Sequence, residues 1–334
     1  MSRINVIIYG CGVMGRLMTK ALLEKKSFKI VGAVDVDPLI IGRDLGELLS
    51  PRKKLGVRIT SDAPGLFSRV KAQAVVLTTT SHLKSVLPQI EQCLKARLNV
   101  VSTCEELSYP CRRSPGLTRK IDDLARKYGV TVVGTGINPG YLMDTLPLTL
   151  TAPCLRVDSI RVKRMMDSSK RRIPFQAKVG TGLTQKEFRR RIDNKIITGH
   201  VGLLESINMI ADGLGWKLDK AVEFPPVPVI TRKRTKSGLG VVEPGKVVGL
   251  ISRATAKSRG KDVITLEFIA HANVRKQYDE IIVKGVPNIW ERIEGGVHGD
   301  IGTVAVTINT IPRAVEAAPG LVVMKDLPPA IAAS

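Results

Sequence analysis

Glycines stand at positions 10, 12 and 15, directly after the run Val6-Ile7-Ile8-Tyr9. The spacing is G-x-G-x-x-G, with Cys11 in the first gap and Val13 and Met14 in the second. After a strand and before a helix, such a loop does three things. The first glycine permits a tight turn, the second lets a pyrophosphate approach the backbone, and the third lets the helix lie close to the strand. The unpaired N–H groups of the helix then face the phosphates. Asp35 follows 20 residues after Gly15, at the end of the next apolar run. A carboxylate there can accept hydrogen bonds from both ribose hydroxyls of an adenosine. The loop from Gly10 to Gly15 (Gly10, Cys11, Gly12, Val13, Met14, Gly15) and Asp35 therefore predict a bound dinucleotide. A carboxylate repels a 2′-phosphate, which favours NAD over NADP. Arg16 and Arg43 are the cations that can reach a 2′-phosphate if Asp35 turns away.

A nicotinamide cofactor needs a partner group that handles the substrate's proton or charge. The stretch "VVSTCEELSYP" places Glu105 and Glu106 just past a strand-like run. Either carboxylate can hold a substrate ammonium or act as a general base. An acid there can equally balance a helix N-terminus, and residue chemistry alone leaves the two readings open. The four histidines, at 82, 200, 271 and 298, are dispersed. They form no pairing with a serine or cysteine nucleophile, and structural roles are expected for them. The five cysteines are odd in number and scattered, with no C-x-x-C pair or Cys/His cluster at metal spacing. Reduced thiols and no metal are expected.

The elements that must position these residues follow from periodicity. "INVIIYG", "FKIVGAVDVD", "AVVLTTTS", "LNVVSTCEE" and "GVTVVGTGINPG" read as strands. Helical patterns over 16–25, 83–97 and 121–128 separate several of them. Continuous Val/Ile/Leu runs alternating with amphipathic helices predict an α/β fold, a Rossmann-type doubly wound parallel sheet covered on both faces. Ligands bind such sheets beyond the carboxyl ends of the strands. Those ends carry the glycine loop, Asp35, Thr79-Thr80-Ser81, Thr103 to Glu106, and Asn138-Pro139-Gly140. Past residue 155, "SIRVKRMMDSS" and "DVITLEFIAHANV" alternate apolar and polar residues. They predict a second α+β domain with a mostly antiparallel sheet. Between them a helical stretch is expected over 185–215, an extended "FPPVPVI", and a mobile loop over 233–240. "HGDIGTVAVTINTIPRAV" reads as a helix capped near Asp300. The domain boundaries expected are 1–140, 141–295 and 296–334.

Of 334 residues, 43% are hydrophobic and 25% charged, a composition that supports a sizeable core. No bilayer-length apolar run or secretory leader is apparent, so a soluble cytoplasmic protein is expected. The net charge is +22, with basic runs at 170–172, 189–191 and 232–236. Few aromatics interleave them, so a nucleic-acid interface is not expected. Nor is there a recognisable helix-turn-helix, as a cofactor-sensing regulator would need.

The blocks "YGCGVMGR", "AVDVDP", "VVLTTTS", "VVSTCEELSYP", "GTGINPGYLMDTLP" and "GGVHGDIGTVAVTINTIPRAVEAAPGLVVMKDLP" give a more specific comparison. Together they resemble the 2,4-diaminopentanoate dehydrogenase family, which includes the native amine dehydrogenases. The two-domain plan is distantly similar to dihydrodipicolinate reductase. The resemblance implies NAD(P)-linked oxidative deamination of an amine to a ketone, reversible as reductive amination with ammonia. It places the acid–base carboxylate on Glu105, with Glu106 as second choice. Asn138, Pro139 and Gly140 would border nicotinamide and substrate, Tyr141 would be a pocket wall, and His298 would line the pocket. Thr79, Thr80, Ser81 and Thr103 would lie along the cofactor. The second domain would carry the pocket and the contacts of a homodimer, and the tail helix would return to the first domain. A basic chain repels a diamine unless its pocket is acidic, which leaves simple mono-amines open as substrates. A reductase acting on a dicarboxylate is the alternative, but its His-His-Gly run followed by lysine is missing.

Overall fold

The computed structural model describes residues 3–272 and 274–332. The chain divides into two compact units, one of residues 1–141 with 298–334 and one of residues 142–297.

The first unit is built on a seven-stranded sheet. Its strands are β1 (Ile4–Tyr9), β2 (Phe28–Val34), β3 (Ile59–Thr60), β4 (Ala74–Leu77), β5 (Asn99–Ser102), β6 (Thr131–Gly134) and β15 (Gly320–Val322). The order is β15-β6-β5-β4-β1-β2-β3, and every pairing is parallel. From β1 the chain runs outward through β2 and β3, then crosses back to β4 on the other side. The crevice at such a reversal is where open parallel sheets take ligands. Helices α1 (Val13–Leu23), α2 (Ala63–Arg69), α3 (Leu83–Lys95) and α4 (Pro115–Tyr128) supply the crossovers. All four residues of β4 are fully buried, as are the valine pairs of β5 and β6. Such strands are covered on both faces, which explains why they read as unbroken apolar runs rather than alternating ones. Helix α9 (Gly299–Glu316) packs against α1 and across β4, β5 and β6.

Two strands of this sheet lie outside the expected set. β3 has only two residues, too short to leave a periodicity. β15 lies in "APGLVV", where a proline and a glycine mask a three-residue edge strand beside β6. The strand expected over 74–81 ends at Leu77, which leaves the threonines and Ser81 in the loop beyond it.

The second unit carries a six-stranded sheet of β7 (Arg156–Asp167), β8 (Lys220–Ile230), β11 (Val247–Ser258), β12 (Lys261–His271), β13 (Tyr278–Val286) and β14 (Ile289–Glu294). Its order is β14-β13-β7-β12-β11-β8. Only β7 and β12 pair in parallel. Pro225, Pro226 and Pro228 all lie in β8, which is an edge strand, where a missing N–H costs no ladder bond. Ile160, Val162, Ile264, Leu266, Ile281 and Val283 share one sheet face. They bury Leu203, Ile207 and Ile210 of α8 (Leu203–Gly213). The remaining helices are α5 (Thr145–Leu150), α6 (Ile173–Lys178) and α7 (Gln185–Asp193).

Two expectations for this half of the sequence need correction. The single helical stretch over 185–215 is two helices, α7 and α8. Lys195, Gly199 and Gly202 take positive φ between them, which a continuing helix cannot accommodate. The segment over 233–240 is no free loop. β9 (Thr235–Ser237) and β10 (Gly240–Val242) form an antiparallel hairpin there. The buried Thr231 and Thr235 hydroxyls meet at 2.8 Å, and Gly238 N–H donates to Gln176 Oε1 at 2.8 Å. As expected, α9 is capped near Asp300: the cap is His298, its Nδ1 accepting from Ile301 N–H at 3.4 Å. Asp300 sits in the first turn, where a negative charge complements the helix dipole.

Candidate active site

The carboxyl edge of the parallel sheet gathers the polar residues of the first unit. At the end of β1 each glycine of the loop has its own reason. Gly10 has φ +98°, and a Cβ on it would lie 2.8 Å from the Thr78 carbonyl oxygen. A Cβ on Gly15 would lie 1.8 Å from the Gly10 carbonyl oxygen, so only glycine lets α1 sit this close to β1. A Cβ on Gly12 would meet nothing within 4 Å. The middle position is thus open to solvent, and α1 begins there without a side-chain cap. An uncapped helix N-terminus beside an open Cα is a cradle for a phosphate. The residues present fit the pyrophosphate of a dinucleotide.

Asp35 closes the loop from the neighbouring strand end. Its Oδ2 accepts from Cys11 N–H at 2.5 Å and its Oδ1 from Asp37 N–H at 2.9 Å. The carboxylate is therefore fixed at the tip of β2, each oxygen keeping lone-pair capacity for a further donor. Arg16 donates through Nε to the Cys11 carbonyl at 3.2 Å, and Arg43 faces Glu47. The Cys11 thiol is buried and pushed up to about 12, by burial first and by Asp35 second. It is an inert packing group. Cys104, at the end of β5, is likewise pushed up to about 12 by burial.

The loop after β4 joins the glycine loop through a residue that the sequence did not single out. Thr78 Oγ1 donates to the Gly10 carbonyl at 2.9 Å. Only its place at the head of "TTTS" could have signalled it. Thr79 Oγ1 meets Gln89 Oε1 at 2.5 Å, and Thr80 Oγ1 accepts from His82 N–H at 3.4 Å. After β5, Thr103 N–H bonds the Leu77 carbonyl at 3.1 Å. One 3₁₀ turn then holds both acids, Glu105–Leu107.

The two glutamates are in different situations. Glu106 Oε2 accepts from Leu83 N–H at 2.8 Å, the first residue of α3. Its Oε1 lies 3.2 Å from His82 Nδ1 and 3.9 Å from Arg113 Nη2. Burial works to raise its pKa, but Leu83 N–H, His82 and Arg113 hold it below the usual carboxylate range. Glu106 is a cap. Glu105 is half-buried, and its carboxylate has no hydrogen-bond or ion-pair partner among the described residues.

The loop after β6 is tight. The Asn138–Pro139 peptide is cis, and Gly140 has φ +123°. Ile137 N–H donates to Thr303 Oγ1 of α9 at 3.3 Å. Asn138 is half-buried, Pro139 and Gly140 are buried, and Tyr141 is half-buried. His298 is exposed at the start of α9. The other histidines are engaged elsewhere: His82 with Glu106, His200 stacked on Phe268 at 4.4 Å, and His271 with the Ala272 carbonyl at 2.8 Å. No group of His, Cys, Asp and Glu suited to a metal occurs among the described residues. No helix among them is long and apolar enough to cross a membrane.

With this geometry in view, the comparisons with known proteins are decisive. Residues 141–334 match the 2,4-diaminopentanoate dehydrogenase C-terminal domain. Residues 4–106 match the N-terminus of dihydrodipicolinate reductase. The chain belongs to the 2,4-diaminopentanoate dehydrogenase family. Membership makes it an oxidoreductase. The 2,4-diaminopentanoate dehydrogenase of Acetoanaerobium sticklandii is 35% identical to it over 98% of this chain and 94% of that protein. An amine dehydrogenase of Streptomyces virginiae is 24% identical over 97% of this chain and 96% of that protein. The solved amine dehydrogenase of Mycobacterium smegmatis superposes with a TM-score of 0.86 at 25% identity, covering 99% of this dehydrogenase and 97% of that chain.

Proposed function

We propose that this dehydrogenase deaminates a primary amine oxidatively, with NAD as the preferred cofactor, and runs in reverse as a reductive aminase with ammonia. The observation that carries the reading is Glu105, a carboxylate without a partner on the strand-end edge that also bears the phosphate cradle. Gly10 to Gly15 would hold the pyrophosphate, Asp35 the adenosine ribose, and Thr79, Thr80, Ser81 and Thr103 the remainder. Asn138, Pro139, Gly140, Tyr141 and His298 would border the substrate.

The nicotinamide, when bound, supplies a hydride acceptor. Glu105 takes a proton from the substrate ammonium, so the carbon bearing the neutral amine can give up hydride. Glu105 passes that proton to solvent, and the carboxylate so restored stabilises the substrate iminium. It next accepts a proton from the water that attacks the iminium carbon. That proton passes to the departing nitrogen, which leaves as ammonia and takes up the hydroxyl proton as the carbonyl forms, giving ammonium. Overall, the ammonium form of the amine, water and oxidised cofactor become ketone, ammonium, reduced cofactor and one proton.

2,4-diaminopentanoate is the substrate to test first, because 35% identity to the enzyme named for it exceeds 24% to the amine dehydrogenase. Simple amines are the second class. Nicotinamide absorbance would be followed with this diamino acid and pentan-2-amine in the oxidative direction, and with ketones plus ammonium in reverse. Turnover with NAD that requires ammonium in reverse is expected. Cofactor binding without ammonium-dependent turnover would overturn the reading and leave imine reduction of a dicarboxylate as the better one.

A further inference from the structure

Glu106 is bound to the loop after β4 by both its main chain and its side chain. Its N–H donates to the Ser81 carbonyl at 3.2 Å. Its carboxylate takes the Leu83 N–H at 2.8 Å and meets His82 Nδ1 at 3.2 Å. The side chain is only 16% exposed, so water competes weakly for these bonds. At its other end the same loop begins with Thr78, whose Oγ1 is bonded to the Gly10 carbonyl. A continuous series of contacts therefore runs from the glycine loop through Thr78 and residues 79–83 to Glu106. The next residue back along the 3₁₀ turn is Glu105. The turn is itself short and closed by Ser108, which donates to the Glu105 carbonyl through its N–H at 3.2 Å and its Oγ at 2.8 Å.

We infer that Glu106 is a positioning residue, which fixes the Glu105 carboxylate in register with the phosphate cradle by tying its turn to the loop that Thr78 anchors. The inference rests on the reading of Glu105 given above. Hydride transfer tolerates little misplacement: a shift of about 1 Å can cost about 100-fold. A glutamate without a side-chain partner of its own gets its aim from the turn beneath it. The charge of Glu106 is incidental to this role, whereas the hydrogen bond it accepts from Leu83 N–H is essential. An amide keeps one acceptor for Leu83 N–H and offers its other end to His82 Nδ1.

The test is a set of purified variants, Glu105→Gln, Glu106→Ala and Glu106→Gln, each assayed for kcat, amine KM and NADH Kd by fluorescence. Glu106→Ala is expected to lose about 100-fold in kcat, with NADH Kd changed less than about threefold because the glycine loop is untouched. Glu106→Gln is expected to recover about tenfold of that loss, while Glu105→Gln stays inactive. If Glu106→Ala fails to fold, His82→Ala, which removes one of the carboxylate's side-chain contacts, must lower kcat without moving NADH Kd. Wild-type kcat in Glu106→Ala, alongside an inactive Glu105→Gln, overturns the inference and leaves the reading of Glu105 intact. An inactive Glu106→Gln beside an active Glu105→Gln overturns both.

Discussion

Replacing Gly12 by alanine isolates cofactor binding from folding. Gly12 has φ −68° and ψ −160°, a conformation open to any L-residue. The added Cβ would touch nothing within 4 Å. Stability should therefore change by less than about 1 kcal/mol, the small loss at a helix N-cap being offset by a stiffer unfolded chain. The methyl group would, however, occupy the face that a pyrophosphate must approach. Hydrogen bonds to charged groups are worth about 1.5–3 kcal/mol each. Losing one weakens binding about 10- to 100-fold. Gly15→Ala is the contrasting control, because its Cβ would sit 1.8 Å from a backbone oxygen that cannot move without separating α1 from β1. NADH fluorescence titration and thermal unfolding of the two variants give the answer together. Gly12→Ala should keep its Tm and lose NADH, whereas Gly15→Ala should lose its fold. An unchanged NADH Kd in a folded Gly12→Ala protein would refute the placement of the phosphates.

Asp35→Ser should move the ratio of kcat/KM for NAD over NADP towards NADP by about tenfold, the equivalent of one modest charge interaction. An unchanged ratio means that Asp35 serves only the Cys11 and Asp37 N–H groups. Arg164→Met should destabilise the second unit by about 3–5 kcal/mol in urea unfolding. Arg164 is 1% exposed, lies 3.5 Å from Asp279, and donates to the Val297 carbonyl at 2.5 Å, while Asp279 accepts from Val297 N–H at 2.7 Å. Adding Asp279→Leu should restore much of the loss, and a single variant costing under about 1 kcal/mol would contradict the buried-pair argument. His200 predicts an acid-sensitive fold. Burial, then Lys178 and Arg164, push its pKa down to about 3. The unfolded ring protonates near about 6.5, so stability due to the neutral ring is present above that pH. It is lost as pH falls, at up to about 1.4 kcal/mol per unit. His200→Phe should flatten that slope, and an identical slope in both proteins would count against it.

How far the residues could be read in advance depended on how locally each feature was determined. β4, β5 and β6 were legible because strands buried on both faces need nearly every side chain apolar. The glycine loop was legible because Gly10 and Gly15 answer to backbone atoms of their own loop or of a neighbouring strand. β3 and β15 were not, since a strand of two or three residues takes its identity from the neighbour it pairs with. The hairpin over 235–242 was hidden for a related reason. Its polarity suggested solvent, while its order comes from Gln176 and Thr231, one of them far away in sequence. The glutamates at 105 and 106 show the limit most sharply. Both are acids past the same strand, and no periodicity separates them. What separates them is the distance from each carboxylate to Leu83 N–H, set by where α3 begins relative to β5. A tertiary bond occupies one acid and leaves its neighbour available, which is why the structure bears on the choice and the residue types alone do not.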